Sequence, residues 1–324
     1  MAVYTQLGAE TLAALIAEFD VGALVSAKGI AEGVSNSNWL IDTTGKDGAG
    51  ARFILTMFEG RTDVGDLPFF LGLLDHLADK TCPVPRTIHD RAGASFRWID
   101  DKALALIEFL PGVSVSEPTA AQAYAVGGAL AQVHLAAQDF GTTRANGMDL
   151  AAWKGLLDDC GAEGLGWINP ELAALVAEEL PLLAQNWPTD LPRGIVHADL
   201  FPDNVLMLGD KVTGLIDFYF ACTDLLAYDV AVTHAAWCFS ADGTRFDAAI
   251  SQALLAGYEA VRPLSEAERA ALPLLARGAA MRFLSTRAYD WINTPADALV
   301  VKKDPMAFAN RLRFYAAHPD LFAA

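Results

Sequence analysis

The stretch IVHADLFPDNVLM, residues 195–207, sets His197, Asp199 and Asn204 in the order H-x-D-x-x-x-x-N between two apolar runs, and Asp217 follows thirteen residues later in LIDFYF. Each residue alone would pass as part of a polar turn, with Pro202 as turn-former. The set has a more specific use. In phosphoryl transfer one carboxylate orients the attacking hydroxyl and accepts its proton, while an asparagine and a second aspartate hold magnesium against the phosphate oxygens. Magnesium takes oxygen ligands and keeps several waters, so two protein donors suffice once phosphates join them. Asp199 is the expected base, and Asn204 and Asp217 are the expected metal ligands.

These residues need strands to present them and helices to hold the strands. Short strands are expected at 24–29, 38–43, 51–58, 96–99 and 104–109, with helical apolar spacing at 11–19. Residues 66–80 read as one helix embedded among the strands, with Asp66 as cap and Pro68 in the first turn. After Leu110-Pro111-Gly112 the pattern turns helical: 119–138, 150–159, 170–186, 225–239, 246–260, 265–290 and 305–317. The expected fold class is α+β, with a small antiparallel β lobe carrying one helix over 1–109 and a larger, mostly helical lobe over 110–324. Between the first two strands, Gly29 and Gly33 with Ser35, Asn36, Ser37 and Asn38 offer donors that can cover phosphates.

Composition narrows the class. The 324 residues are 53% hydrophobic and carry a net charge of −17, which argues against nucleic acid or an anionic membrane as partner. The first residues lack a basic segment ahead of their helical pattern, and no apolar run approaches the ~20 residues of a bilayer span, so a cytoplasmic protein is expected. Cys82, Cys160, Cys222 and Cys238 are scattered, without a C-x-x-C pair, which points to reduced thiols rather than a disulfide framework or structural zinc.

The H-x-D-x-x-x-x-N arrangement followed by Ile216-Asp217-Phe218 resembles the aminoglycoside phosphotransferase and choline kinase-like group, whose fold is related to that of protein kinases. The resemblance extends along the chain: KGIAEGVSNSNWLI looks like the nucleotide-covering loop, RFILTMFE like the following strand and LALIEFLPG like the inter-lobe hinge. Within the group, GVSNSN, LPFFLGLLDHL, MRFLSTRAYDW and VVKKDPMAFANRLRFY most resemble bacterial homoserine kinases. The resemblance implies ATP and Mg2+ as cofactors, L-homoserine as the small-molecule substrate and a place in threonine biosynthesis. It implies adenine contacts from the backbone at Glu108 and Leu110, and phosphate contacts from Gly33, Ser35, Asn36 and Ser37. In this fold the motif histidine, here His197, orders the catalytic loop.

One departure stands out, because Thr56 occupies the strand position where kinase-like chains carry a phosphate-binding lysine. Lys28, Arg52 and Arg61 are candidate replacements, and Glu59 and Asp75 are candidate acidic partners. The homoserine carboxylate calls for a forked cation. Arg277, Arg282 and Arg287 lie at five-residue steps, about 140° apart on a helix, so they cannot share one face. Arg282 and Arg287, near Asp290 and Trp291, are the expected carboxylate ligands, and Asp224 or Tyr228 is expected to meet the ammonium. His134 is expected to be structural, satisfied by a nearby carbonyl, and Trp237 and Phe239 to be core. The competing readings are a kinase for choline, an aminoglycoside or methylthioribose, and a non-catalytic nucleotide-binding scaffold suggested by the missing lysine.

Overall fold

In the computed structural model, which describes residues 7–30, 36–59, 63–295 and 302–323, the chain divides into two units. One comprises Met1–Gly112 with Thr213–Tyr219, and the other Val113–Val212 with Phe220–Ala324. The second segment of the first unit carries Asp217, so the metal-ligand candidates fall on both sides of the division.

In the first unit β1 (Leu24–Ile30), β2 (Ser37–Thr43), β3 (Ala51–Met57), β4 (Thr87–Ile88), β5 (Arg97–Ile99) and β6 (Lys102–Glu108) form one antiparallel sheet. The order is β1-β2-β3-β6-β4, with β5 also pairing β6. Strict alternation sets its faces. Trp39, Ile41, Leu55, Met57, Leu104 and Leu106 point one way and pack on Leu12, Ile16 and Phe19 from and just beyond α1 (Ala9–Ala17). Register then places Asn38 beside Thr56 and Thr56 beside Ala105 on the opposite face. Among the described residues the unit carries α1, over the helical spacing expected at 11–19, and the embedded helix α2 (Leu67–Asp79). The expected cap of α2 is displaced. A 3-10 turn, Val64–Asp66, precedes it, Asp63 accepts from the Gly65 N–H at 2.8 Å, and Asp66 makes no side-chain capping bond. Pro68 does sit in the first turn.

The second unit holds α3 (Ala120–Ala136), α4 (Leu150–Ile168), α5 (Leu172–Asn186), α6 (Leu226–Trp237), α7 (Ala248–Glu259), α8 (Glu266–Asn293) and α9 (Met306–Ala317). Thr119 with Gln122 and Ser265 with Glu268 make capping boxes that start α3 and α8. α4 continues past its expected end because Gly161, at φ +64°, turns the chain while the helix resumes beyond it. β7 (Arg193–Val196) pairs antiparallel with β10 (Cys222–Leu225), a strand the sequence pattern does not announce. β8 (Val205–Leu208) and β9 (Lys211–Leu215) form a separate two-stranded ribbon. All four cysteines are buried thiols. Among the described residues no helix is long and apolar enough to cross a membrane.

α3 and α7 cross with their backbones almost touching. A Cβ on Gly127 would fall 2.1 Å from the Leu254 carbonyl oxygen, and one on Gly257 1.9 Å from that of Tyr124. Neither backbone can yield without parting the helices. Gly257→Ala is therefore expected to lower stability by about 1–3 kcal/mol, the usual range for overpacking. Urea denaturation would check it, and a midpoint within error of the wild type would show that the helices can separate without cost.

Candidate active site

β7 delivers the chain to His197, and β10, its partner, runs directly into α6. Asp229 in the first turn of α6 therefore lies under the end of β7. Its carboxylate is fully buried and accepts the N–H groups of His197 and Ala198, both at 2.7 Å, and a ring nitrogen of His134 at 3.0 Å. Burial works to raise its pKa, but the His134 hydrogen bond, the charges of His134 and His197 and the His197 N–H outweigh it, and the carboxyl stays below its ordinary 3.8. Ala198, held this way, adopts φ +63°, a conformation costing about 1–3 kcal/mol for a residue with a Cβ.

A chain of bonds continues behind the carboxylate. His134 Nδ1 meets the Tyr258 hydroxyl at 2.8 Å, and that hydroxyl accepts from Arg262 at 3.1 Å. Arg262 in turn pairs with Glu268 at 2.7 Å. The Tyr258 hydroxyl thus bridges Arg262 to His134 Nδ1, and His134 Nε2 meets the Asp229 carboxylate. His134 is thus satisfied by a phenol and a carboxylate rather than by the expected carbonyl.

Beyond Ala198 the loop is folded on itself. The Asp199 N–H donates to His197 Nδ1 at 3.2 Å, and the Phe201 N–H to the Asp199 carbonyl at 2.8 Å. The 3-10 turn Pro202–Asn204 then brings Asn204 back. Its side-chain amide donates to the Asp199 carbonyl at 2.7 Å and to the Asp199 carboxylate at 3.3 Å. With the NH2 engaged, Oδ1 on the other side of the planar amide is the atom fit to meet a cation. Trp237 is core, and its indole also holds the loop, donating to the Leu200 carbonyl at 2.9 Å. Phe239 is packed among Phe246, Phe314 and Tyr315.

In the first unit Asp217 stands at φ +65°, left-handed like Ala198 although it carries a side chain. Two residues on, Tyr219 sets its ring edge-on to Phe58 and Phe70, with centroids 5.2 and 5.7 Å away. Its hydroxyl bonds Thr56, whose own hydroxyl donates to Asn38 at 2.8 Å. A neutral set, Asn38, Thr56 and Tyr219, fills the position of the expected lysine and ties strand β3 to the Asp217 turn. Burial, followed by the Asp217 charge, pushes the Tyr219 phenol far up, so it stays protonated.

The other cations of this unit divide plainly. Lys28 is exposed; Arg52 pairs with Asp42 at 2.9 Å and lies over the Phe109 ring. Arg61, Gly33 and Ser35 fall outside the described residues. Ser37 corrects the phosphate-contact expectation, being fully buried with its hydroxyl donating to Glu59 at 2.7 Å. Asn36 accepts the Glu59 N–H at 3.4 Å. Glu59 also pairs with Lys102, a half-buried cation that the pattern had not singled out. Asp75 accepts from the Thr87 N–H and from His89, so it is no partner for β3. The Glu108 N–H is spent on the Arg86 carbonyl, while Leu110 lies beyond the last strand pair.

The acceptor-side expectations separate as well. Arg277 forms a two-pronged bond to Glu179. Arg282 is only 2% exposed and donates to the Ala198 carbonyl, so its fork is turned to the loop backbone rather than to a ligand surface. Asp224 pairs across from Gly194, at the end of β7 away from His197, about 10 Å of strand. It is already bonded to Asn146 and Arg193. Tyr228 is fully buried between Trp153 and Trp187. Register and burial thus displace both from the expected ammonium site. Arg287 is engaged differently from the other two arginines. It is half-buried over the Phe308 ring, donates to the Asp304 carbonyl at 3.2 Å, and has its pKa brought down to about 10. Burial is the main cause and neighbouring Arg311 the second, opposed by Asp304, Asp203 and Asp199. Its charge is therefore felt at the loop.

Asp229 was legible in principle. Every residue of α6 is buried, and an aspartate in an all-buried helix requires donors. Because its folded pKa lies below 3.8, its stabilisation is complete at neutral pH and is lost as pH falls through 3.8 toward the folded value. Asp229→Asn is expected to cost about 3 kcal/mol at pH 7, leaving a buried N–H facing the wrong partner. The gap to wild type should narrow below pH 3.8. Urea midpoints measured from pH 7 to 3 check this; a gap that stays constant would mean the carboxylate is not the group responsible.

Comparison with known proteins addresses the family and the fold. The model of the phosphotransferase enzyme family matches residues 26–264. A homoserine kinase of Gluconobacter oxydans is 51% identical over 97% of this chain and 98% of its own length, and one of Gluconacetobacter diazotrophicus is 52% identical over 98% and 97%. Among solved structures, an amicoumacin kinase in complex with AMP-PNP, Ca2+ and amicoumacin superposes with a TM-score of 0.72 at 15% identity, covering 97% of this chain and 95% of that one. A microcompartment-associated aminopropanol kinase gives 0.67 at 20%, covering 98% and 97%. Those two likenesses speak for the protein-kinase-like fold, and with the family match and the near-complete relatives they show that the chain belongs to the phosphotransferase enzyme family, among its homoserine kinases.

Proposed function

We propose that this protein transfers the γ-phosphoryl group of ATP to the side-chain hydroxyl of L-homoserine, giving O-phospho-L-homoserine and ADP for threonine biosynthesis, in the cytoplasm. One observation carries the reading: half the residues are shared, over nearly the whole chain, with proteins named homoserine kinase. The loop geometry supports it. Asp199 takes the hydroxyl proton as the oxygen attacks phosphorus and the bond to the β-phosphate oxygen breaks, a step helped mainly by positioning and charge stabilisation. Asn204 and Asp217 are the proposed oxygen donors for Mg2+, which when bound neutralises phosphate charge. Their donor chemistry fits a cation completed by phosphates and water. Among the described residues there is no cluster of three or more His, Cys, Asp or Glu fit to hold a metal by itself.

The acceptor must be held by its carboxylate and ammonium. Arg287 supplies the forked cation, with its charge within range of Asp199 and Asp203. A cationic acceptor such as choline would be repelled by that guanidinium. Glu108 and Leu110 remain the proposed adenine-side segment, with Leu110 the better placed, since the Glu108 N–H is already bonded.

Asp199→Asn is expected to cut kcat roughly 10²–10⁴-fold while ATP affinity changes little, because proton acceptance is the function lost. Asn204→Ala should instead raise the Mg2+ concentration needed for ATP binding, with excess metal recovering part of the activity. ADP-release kinetics over a Mg2+ titration separates the two, and identical behaviour of both variants would contradict the division of roles.

Arg287→Ala should raise KM for homoserine at least tenfold and leave KM for ATP within about twofold, as expected for binding made equally in ground and transition states. Assays of wild type with homoserine, choline, kanamycin and methylthioribose decide the acceptor. Turnover of one of the others with none of homoserine would refute the homoserine assignment and leave the kinase assignment standing.

A further inference from the structure

Arg282 is a cation in an unusual place. It is 2% exposed, its guanidinium lies over the Phe283 ring at 4.6 Å and near the Phe220 ring at 5.3 Å, and no carboxylate salt-bridges it among the described residues. Its Nε has no hydrogen-bond partner. Burying a guanidinium without an anion is costly, and two ring faces offset only part of that cost. What the residue does engage is specific. One NH2 group donates to the carbonyl of Ala198, the left-handed residue immediately before Asp199.

The geometry gives this bond leverage. The two peptide planes flanking the Ala198 Cα are rigid, and only φ and ψ of Ala198 relate them. The N–H groups of His197 and Ala198 are fixed by Asp229. The carbonyl on the far side is fixed by Arg282 from α8. Gripping one plane by its N–H and the next by its C=O sets both torsions, and the second plane carries the Cα of Asp199. Without the second grip, a residue with a Cβ would relax from φ +63° toward negative φ. The Asp199 carboxylate would swing with it.

We propose that Arg282 is a positioning residue for phosphoryl transfer, holding the Ala198 peptide in its left-handed conformation so that the Asp199 carboxylate is aimed at the acceptor hydroxyl. The inference rests on the reading of Asp199 as base, and it does not depend on which alcohol is the acceptor.

Four variants test it: Arg282→Met, Arg282→Lys, Ala198→Gly and the double variant Ala198→Gly with Arg282→Met. Kinetics are measured with whichever of the four acceptors the wild type phosphorylates, beside thermal melts of each protein. Arg282→Met is expected to lower kcat about 10- to 100-fold, the scale of an ångström-sized misplacement, with KM for ATP within twofold. Arg282→Lys, which keeps a donor without the fork, should fall between it and wild type. Glycine accepts φ +63° without strain. The double variant should therefore regain at least fivefold of the kcat lost in Arg282→Met. A lowered melting temperature with full kcat in the folded fraction would make Arg282 a packing residue and overturn the proposal. A raised acceptor KM with unchanged kcat, and no recovery from glycine, would make it a substrate ligand and overturn it equally. If Arg282→Met does not fold, Arg282→Lys with and without Ala198→Gly carries the same comparison. Failure of homoserine with turnover of another alcohol would sink the substrate assignment alone.

Discussion

The catalytic loop depends on a buried carboxylate with two backbone N–H groups in its grip. Asp229 lies in α6, a helix with no exposed face, and its two oxygens receive His197, Ala198 and His134. Such a charge is tolerated because its lone pairs are filled by donors that cannot move away: two belong to the chain leaving β7, and the third is locked from behind by Tyr258. The same bonds hold Ala198 in a conformation that a β-carbon disfavours. Strain and its compensation are therefore adjacent, on a few bonds, rather than spread over the unit.

From that fixed point outward, packing takes over. The glycines at 127 and 257 let α3 and α7 approach until backbone meets backbone, and the residue after Gly257 is Tyr258, the partner of His134. Close helix contact is thus what brings the phenol within reach of the imidazole. On the other side Phe201 sets its ring against Phe283 and Phe308, and Trp237 takes the Leu200 carbonyl. The loop is anchored through carbonyls, N–H groups and one ring.

Much of this was legible in residue spacing, and the remainder was not, for identifiable reasons. The motif and the helix and strand pattern follow from local chemistry, since H-x-D-x-x-x-x-N is a short-range signal and alternation or 3.6-residue spacing marks each element. Ends shifted where neighbours intervened, as at Asp63, which caps a turn ahead of Asp66, and at Gly161, where α4 bends and continues. β10 went unread because four residues ahead of a buried helix carry no alternation of their own. The acceptor side was harder. Five-residue spacing correctly said that Arg277, Arg282 and Arg287 face different ways, but only tertiary contacts reveal that Glu179 takes the first and the Ala198 carbonyl the second. Asp224 and Tyr228 looked close to the motif in sequence, yet antiparallel register carries the first away along β7 and burial encloses the second.

The position of Thr56 shows how a missing charge can be structurally complete. A lysine at the centre of β3 would need an acid nearby, and Glu59 and Asp75 are both engaged elsewhere, with Ser37 and Lys102 and with Thr87 and His89. Threonine there instead joins Asn38 to Tyr219 through neutral hydrogen bonds. A buried neutral link avoids the desolvation cost of an ion pair, and its directionality fixes Tyr219 and hence the turn in which Asp217 is held left-handed. The absence of lysine is therefore no sign of a decayed site. It exchanges a mobile charge for a rigid connection between strand β3 and the metal-ligand candidate.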